Sequence, residues 1–291
     1  MDLAQKAPKV YHAFQEILQK DRLNHAYLFS GDFANFDMAI FLAQAIFCDQ
    51  KEGPFPCKQC RSCQLIAQGE FADVTILEPT GQIIKTEAVK EMMSHFSQTG
   101  IEGKQQVFII RECEKMHVNA ANSLLKYMEE PQGDAYLFLL TNDDNQVLPT
   151  IRSRTQTFYF PKNDAYLCDL AQQMGLLKSQ AQLLAKLSKN EQQLEIFAQN
   201  TKVLDLVAQT ERFVTIWLKE EWQAYLELNR LVQLAAEKDE QDMVLTLLTL
   251  ILAKDYHKEK VLPFLDKVYQ TRLMWQRNVN FQNSLEYMVI S

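Results

Sequence analysis

Short unbroken apolar runs alternate with helical periodicity over roughly the first 160 positions, and beyond them only the helical pattern continues. The runs are Ala26-Tyr27-Leu28-Phe29, Val74-Thr75-Ile76-Leu77, Val107-Phe108-Ile109-Ile110, Tyr136-Leu137-Phe138-Leu139-Leu140 and Thr157-Phe158-Tyr159-Phe160. Each is bounded by glycine, proline or a polar turn, and none alternates apolar with polar. That predicts strands covered on both faces, as in a parallel sheet. Between them, Asn35 to Phe47 carries a 3.6-residue stripe of Phe36, Ile40, Ala43 and Phe47. A second helix is expected from Thr86, with Val89, Met92, Met93 and Phe96 facing inward, and a third from Asn119 to Glu130, stopped by Pro131. Strands alternating with helices predict an α/β domain with helices on both sheet faces.

After Pro161 the pattern predicts short amphipathic helices from Ala165 to about Leu206, with Leu183, Leu184, Leu187, Leu194, Ile196 and Phe197 as candidate core. From about Val207 onward the pattern is long helices with no strand signal. Three domains are therefore expected: 1–163 (α/β), 164–206 (a small helical lid) and 207–291 (an all-α bundle). The longest apolar stretch, Met243 to Ala253, is broken by Thr246 and Thr249 and is too short to span a bilayer, so it reads as a buried helix. Only 8 of 291 residues are glycine, which favours helices with few sharp turns. No membrane partner and no export segment are indicated, and a cytoplasmic location is expected. A net charge of -7 argues against a protein whose main task is coating nucleic acid, so DNA binding by the lone chain should be weak.

Four of the six cysteines, Cys48, Cys57, Cys60 and Cys63, read C-x8-C-x2-C-x2-C, with Gly53, Pro54 and Pro56 in the loop. Two C-x2-C steps on a turn can aim three thiolates at one point, and Cys48 at the end of the preceding helix supplies a fourth. Four thiolates close a tetrahedral shell, the chemistry of one structural Zn2+ rather than a catalytic one. The competing readings are a redox pair or unrelated buried thiols. Three cysteines in a polar, proline-rich loop argue against burial, and the lack of an export segment argues against disulfides. Cys113 and Cys168 stand alone and are expected in the core.

The first apolar run enters Ser30-Gly31 and then a helix, the setting of a phosphate-binding loop of the form G-x4-G-K-[ST]. Gly31 holds the first position. Phe36 stands for the second glycine, Asp37 for the lysine and Met38 for the Ser/Thr. These changes block close backbone approach, reverse the charge and remove the hydroxyl for Mg2+, so no ATP is expected there. Taken alone, an ordinary strand–turn–helix corner with no nucleotide history explains the loop better. A second substitution tips the balance the other way. Val107–Ile110 leads into Arg111-Glu112, where an ATPase of this kind would place Asp-Glu, and an arginine cannot coordinate a cation.

The run Asn119-Ala120-Ala121-Asn122-Ser123-Leu124-Leu125-Lys126-Tyr127-Met128-Glu129-Glu130-Pro131 resembles the signature helix of bacterial clamp-loader subunits and their replication factor C relatives. Arg22 to Gly31 resembles that family's first strand, and Leu148-Pro149-Thr150-Ile151-Arg152-Ser153-Arg154 its Ser-Arg-Cys motif, with Thr155 in place of the cysteine. The cysteine cluster matches the family's zinc module. The resemblance is specific over about residues 10 to 160. It implies an AAA+ fold (RecA-like sheet, helical lid, helical collar) and a hetero-pentameric ring with gamma/tau ATPase subunits and a delta subunit. The sliding clamp and primer-template DNA would be met through that ring. It also implies that Arg154, beside Ser153, is an arginine finger reaching ATP held by the adjacent subunit; without the motif, Arg154 would read as a surface arginine paired with a carboxylate. Thr141-Asn142 falls at the family's sensor position and reads here as a strand-end cap. Lys115 and Lys126 read as solvated lysines, and Arg152 is left without a role. Two other functions compete with a non-hydrolysing subunit: an active clamp-loader ATPase, and a zinc-ribbon nucleic-acid-binding module.

Overall fold

A computed structural model describes residues 3–96, 105–129, 134–255 and 259–290. The chain divides into two compact units, Met1–Asn163 and Asp164–Ser291. In the first, helices α1 (Leu3–Lys6) and α2 (Pro8–Gln19) precede strand β1 (Ala26–Ser30) and helix α3 (Asn35–Phe47). Helix α4 (Arg61–Gln68) lies in the cysteine segment, followed by β2 (Val74–Leu77), α5 (Thr86–Phe96), β3 (Gln105–Ile110) and α6 (Val118–Glu129). Strand β4 (Asp134–Thr141), the single-turn helix α7 (Pro149–Arg152) and β5 (Gln156–Tyr159) complete the unit.

The five strands form one sheet in the order β2-β3-β4-β1-β5, with every neighbouring pair parallel. All five apolar runs are strands; the central β1, β3 and β4 are buried on both faces, while the edge strands β2 and β5 are only partly covered. Ala26, Leu28, Phe108, Ile110, Leu137 and Leu139 pack on Val89 and Met92 of α5 and on Ala120, Leu124 and Met128 of α6. On the opposite face, the Phe14 ring of α2 lies tilted with its centroid 4.5 Å from that of Phe158, and edge-on 5.6 Å from that of Phe29. The fold is thus the expected α/β sheet covered on both sides.

Two details of the helix reading change. Helix α3 buries Met38, Ala39, Phe41, Leu42, Ala43 and Ala45, while Phe36, Ile40 and Phe47 are only half-buried. Its sequence is apolar almost all round, so periodicity picked a stripe that is not the most buried one. Helix α2 carried no comparable sequence assignment, although Phe14 is fully buried. The Glu130-Pro131 end of the signature run and the side chain of Phe96 lie outside the described residues.

The second unit is helical: α8 (Asp164–Gln173), α9 (Lys178–Leu187), α10 (Glu191–Gln199), α11 (Thr201–Trp217), α12 (Glu221–Leu234), α13 (Lys238–Ala253), α14 (Leu262–Gln276) and α15 (Phe281–Ile290). Helix α11 continues through Leu206 and Val207, where the sequence places the edge between lid and collar. Leu183, Leu184 and Leu194 are buried as expected, whereas Ile196 is largely exposed. The apolar stretch of α13 is a buried helix, with Val244, Leu245, Leu247, Leu248 and Leu252 in the core. Among the described residues no helix is long and apolar enough to cross a membrane.

Candidate functional site

The loop after β1 is built around Gly31, whose φ is +106°. A Cβ there would lie 2.3 Å from the carbonyl oxygen of Phe160. The Gly31 amide donates to the Thr141 carbonyl (2.9 Å), and the Phe160 amide donates to the Ser30 carbonyl (2.7 Å). Glycine here lets three strand ends close on one another, a local need independent of any ligand.

Beyond Gly31 the three changed positions each find a partner in the same unit. The Arg111 guanidinium lies over the Phe36 ring, 4.5 Å from its centroid, and Arg111 Nη1 sits 2.5 Å from Glu78 Oε1. Asp37 Oδ2 is 2.5 Å from the Nζ of Lys6 in α1. Met38 is fully buried in the core. The Phe36 amide, in the first turn of α3, is occupied by Asn35 Oδ1 at 2.6 Å. Glu112 has a left-handed backbone (φ 48°) and pairs with Lys115 at 2.5 Å. Aromatic ring, carboxylate and guanidinium therefore fill one another's needs at the mouth of β1 and β3.

Sequence reasoning found Phe36, Asp37, Met38, Arg111 and Glu112 but missed Lys6 and Glu78. Glu78 was within reach of it. With β2 and β3 paired in register from Val74↔Val107 to Leu77↔Ile110, the next residues, Glu78 and Arg111, stand side by side. Lys6 had no such signal, since nothing local ties a four-residue helix to α3.

The four cysteines converge. Cys48 caps the C-terminus of α3, Cys60 is the N-cap of α4, and Cys63 lies in that helix's first turn. Their sulfurs lie within 4.8 Å of one another, with Cys48 and Cys60 3.9 Å apart. Zn–S bonds of about 2.3 Å in a tetrahedron place sulfurs about 3.8 Å apart, so the set fits such an ion. Backbone amides of Cys57, Gln59, Cys60 and Cys63 donate to Cys48, Cys57, Cys57 and Cys60 sulfurs at 3.3 to 3.5 Å. Burial pushes the Cys60 thiol up, but the amides of Cys63 and Asp49 and the neighbouring thiols outweigh it and bring it to about 6. Burial raises Cys48 and Cys63. Contrary to the expectation that the three loop cysteines escape burial, Cys63 is buried, because it lies in the first turn of α4; Cys48, at the end of α3, is buried as well. Gln44 of α3 donates to the Cys63 carbonyl at 2.8 Å, and Ser62 donates to Asp49 at 2.8 Å. Cys113 is buried as expected, while Cys168 is only half-buried on α8.

The two arginines after α7's start face different partners. Arg152 Nη1 lies 3.7 Å from Asp144, which also accepts from Ser30 Oγ at 2.9 Å. Arg154 donates from Nε to Glu129 Oε1 at 2.7 Å and from Nη1 to the Thr150 carbonyl at 3.1 Å and to Ser153 Oγ at 3.3 Å. Ser153 Oγ in turn donates to the Thr150 carbonyl at 3.1 Å. At the end of β4, Thr141 Oγ1 donates to the Asp143 carbonyl and accepts from the Asp143 amide, a strand-end cap. Asn142 and Lys126 are exposed.

A parallel five-stranded sheet in the order β2-β3-β4-β1-β5, covered on both faces and followed by a helical unit, is the α/β architecture expected of an AAA+ scaffold. The chain belongs to the family described as DNA polymerase III, delta subunit, whose family model matches residues 6–164. It is similar to DNA polymerase III subunit delta' of Bacillus subtilis (strain 168), 37% identical over 186 residues, 63% of this chain and 56% of that protein. Subunit delta' of Pseudomonas aeruginosa is 36% identical over 134 residues, 45% of this chain and 41% of that one. DNA polymerase III subunit tau/gamma of Haemophilus influenzae is 33% identical over 150 residues, 50% of this chain and 22% of that protein. The chain thus spans about half the length of the two delta' relatives it matches.

Proposed function

We propose that this chain is a non-hydrolysing, delta-prime-type stator of a DNA polymerase III clamp loader. It sits in a ring with gamma/tau-type ATPase subunits and a delta subunit, and the ring places the sliding clamp on primer-template DNA during replication. The observation that carries the reading is the Phe36–Arg111–Glu78 contact. The residues standing for the phosphate-loop glycine and the Mg2+ aspartate pack on each other, with the guanidinium 4.5 Å from the ring centroid. A nucleotide would have to displace a ring and an arginine and then meet Asp37 in place of a lysine. The contribution to catalysis is made in trans: Arg154 stabilises the charge on the phosphoryl group of ATP held by the neighbouring subunit. Cys48, Cys57, Cys60 and Cys63 hold one structural Zn2+, which fixes the α3–α4 turn without chemistry of its own.

The Arg154→Ala chain, assembled with its partner subunits, clamp and primed DNA, is expected to fold normally. Its assembly should hydrolyse ATP at least tenfold more slowly, since such a finger can be worth about 10³ to 10⁵ in rate at the site it serves. Unchanged turnover would remove the finger, and micromolar binding of labelled ATP to the isolated chain would replace the stator by an active ATPase. Tight, steeply salt-dependent DNA binding by the lone chain would favour the nucleic-acid-binding alternative.

A further inference from the structure

An arginine that acts across a subunit interface has an entropic problem. Its side chain has four rotatable bonds, and freezing them at the phosphate costs conformational entropy unless the chain is ordered beforehand. Arg154 is ordered beforehand. Its Nε lies 2.7 Å from Glu129 Oε1 and its Nη2 lies 2.5 Å from the same oxygen, while Nη1 is held by the Thr150 carbonyl and Ser153 Oγ. Yet 36% of the side chain stays exposed. Thr150 and Ser153 belong to the same turn as Arg154 and move with it. Glu129 does not. It is the last residue of α6, whose Leu124 and Met128 are locked into the sheet core.

We infer that Glu129 is the positioning residue for Arg154: a carboxylate fixed to the core through α6 that sets the direction of the guanidinium before the neighbour's nucleotide arrives. This rests on the finger reading and extends it to a second residue. Both side chains are partly exposed, so the pair is weak enough for a phosphate to join or replace the carboxylate, and strong enough to bias the rotamer. Glu129 touches no reacting atom; it acts through Arg154 alone.

The test is a double-mutant cycle on ATP turnover by the reconstituted assembly, with Glu129→Ala, Arg154→Ala and the double variant. Glu129→Ala is expected to lower turnover about five-fold, equivalent to ~1 kcal/mol at 1.36 kcal/mol per tenfold. In the Arg154→Ala background the same change should have no further effect, and Glu129→Asp, which keeps the charge, should recover part of the loss. The melting temperature of the isolated variant should match the parent. If Glu129→Ala leaves turnover unchanged while Arg154→Ala depresses it, the positioning role is overturned and the finger stands. An equal loss in both backgrounds also overturns it, by assigning Glu129 a general structural role. Full turnover in Arg154→Ala overturns the finger and this inference together.

Discussion

Gly31→Ala isolates a question the sequence leaves open: whether the glycine after β1 is there for a phosphate or for the sheet. The added Cβ would meet the Phe160 carbonyl oxygen at 2.3 Å, its carbon at 3.0 Å and its Cα at 3.4 Å, all of them backbone. No side chain can rotate away to relieve the clash. The φ of +106° adds a conformational penalty of about 1–3 kcal/mol for an L-residue. Relief by backbone movement stretches the Gly31–Thr141 or the Phe160–Ser30 hydrogen bond, each worth about 0.5–1.5 kcal/mol. Together these place the loss at about 2–5 kcal/mol, a shift in urea midpoint of roughly 1–2 M for ordinary denaturant slopes. All three tryptophans, Trp217, Trp222 and Trp275, lie in the second unit, so indole fluorescence follows that unit. Far-UV circular dichroism follows both. The expected result is an early loss of ellipticity with the tryptophan transition nearly unmoved. A shift of the early ellipticity transition by less than about 0.5 kcal/mol would refute the steric argument and return Gly31 to a ligand role.

Two further outcomes are expected. Metal analysis of the purified chain should give about one zinc, lost in Cys57→Ser/Cys60→Ser, and the loss should expose the α3–α4 turn to protease because the thiolates organise that segment. For pH, hydrogen bonds from the Asn145 amide and the Asn145 and Gln146 side chains hold the Asp143 carboxyl below its usual value, and Lys202 with the Glu237 amide does the same for Glu240. A carboxylate depressed in the folded state stabilises above its unfolded pKa of about 4 and loses that contribution as pH falls through the folded value. Asp143→Asn should therefore destabilise at pH 7, and the gap to the parent should close as the pH falls through the folded value, measured by thermal unfolding; a gap that widens on acidification would reverse the sign.

What was legible in the sequence follows from what is local. The five strands could be read because each is a short apolar run, the central β1, β3 and β4 buried on both faces, and Thr86 and Phe47 as helix ends because caps and turns are near-neighbour effects. The cysteine set could be read because its spacing confines four sulfurs to one turn. The buried face of α3 could not, since a helix apolar on every side carries no phase information. Nor could the pairs Lys6–Asp37 and Arg154–Glu129, whose partners lie 31 and 25 positions apart and meet only once the sheet has set their positions. Even so, each joins a residue singled out for its chemistry to one that was read as background.

On the proposed reading, Phe36 at the phosphate-loop position and Arg111 at the Mg2+ position are coupled rather than independent, because the two side chains pack on each other. With Phe36 in place, Arg111 gains a ring to lie on, and with Arg111 in place the Phe36 ring has a cation over it. Reverting Arg111 to aspartate alone would set a second carboxylate beside Glu78 and leave the ring uncovered. Reverting Phe36 to glycine alone would open the first turn of α3 and leave the guanidinium to Glu78. Each single step back is therefore uphill, as is Met38→Thr, which buries a hydroxyl where a fully enclosed thioether packs. A domain arranged in this way keeps its sheet, its Gly31 corner and its exposed Arg154 turn while Phe36, Arg111 and Glu78 hold one another, which is the form the proposed stator role calls for.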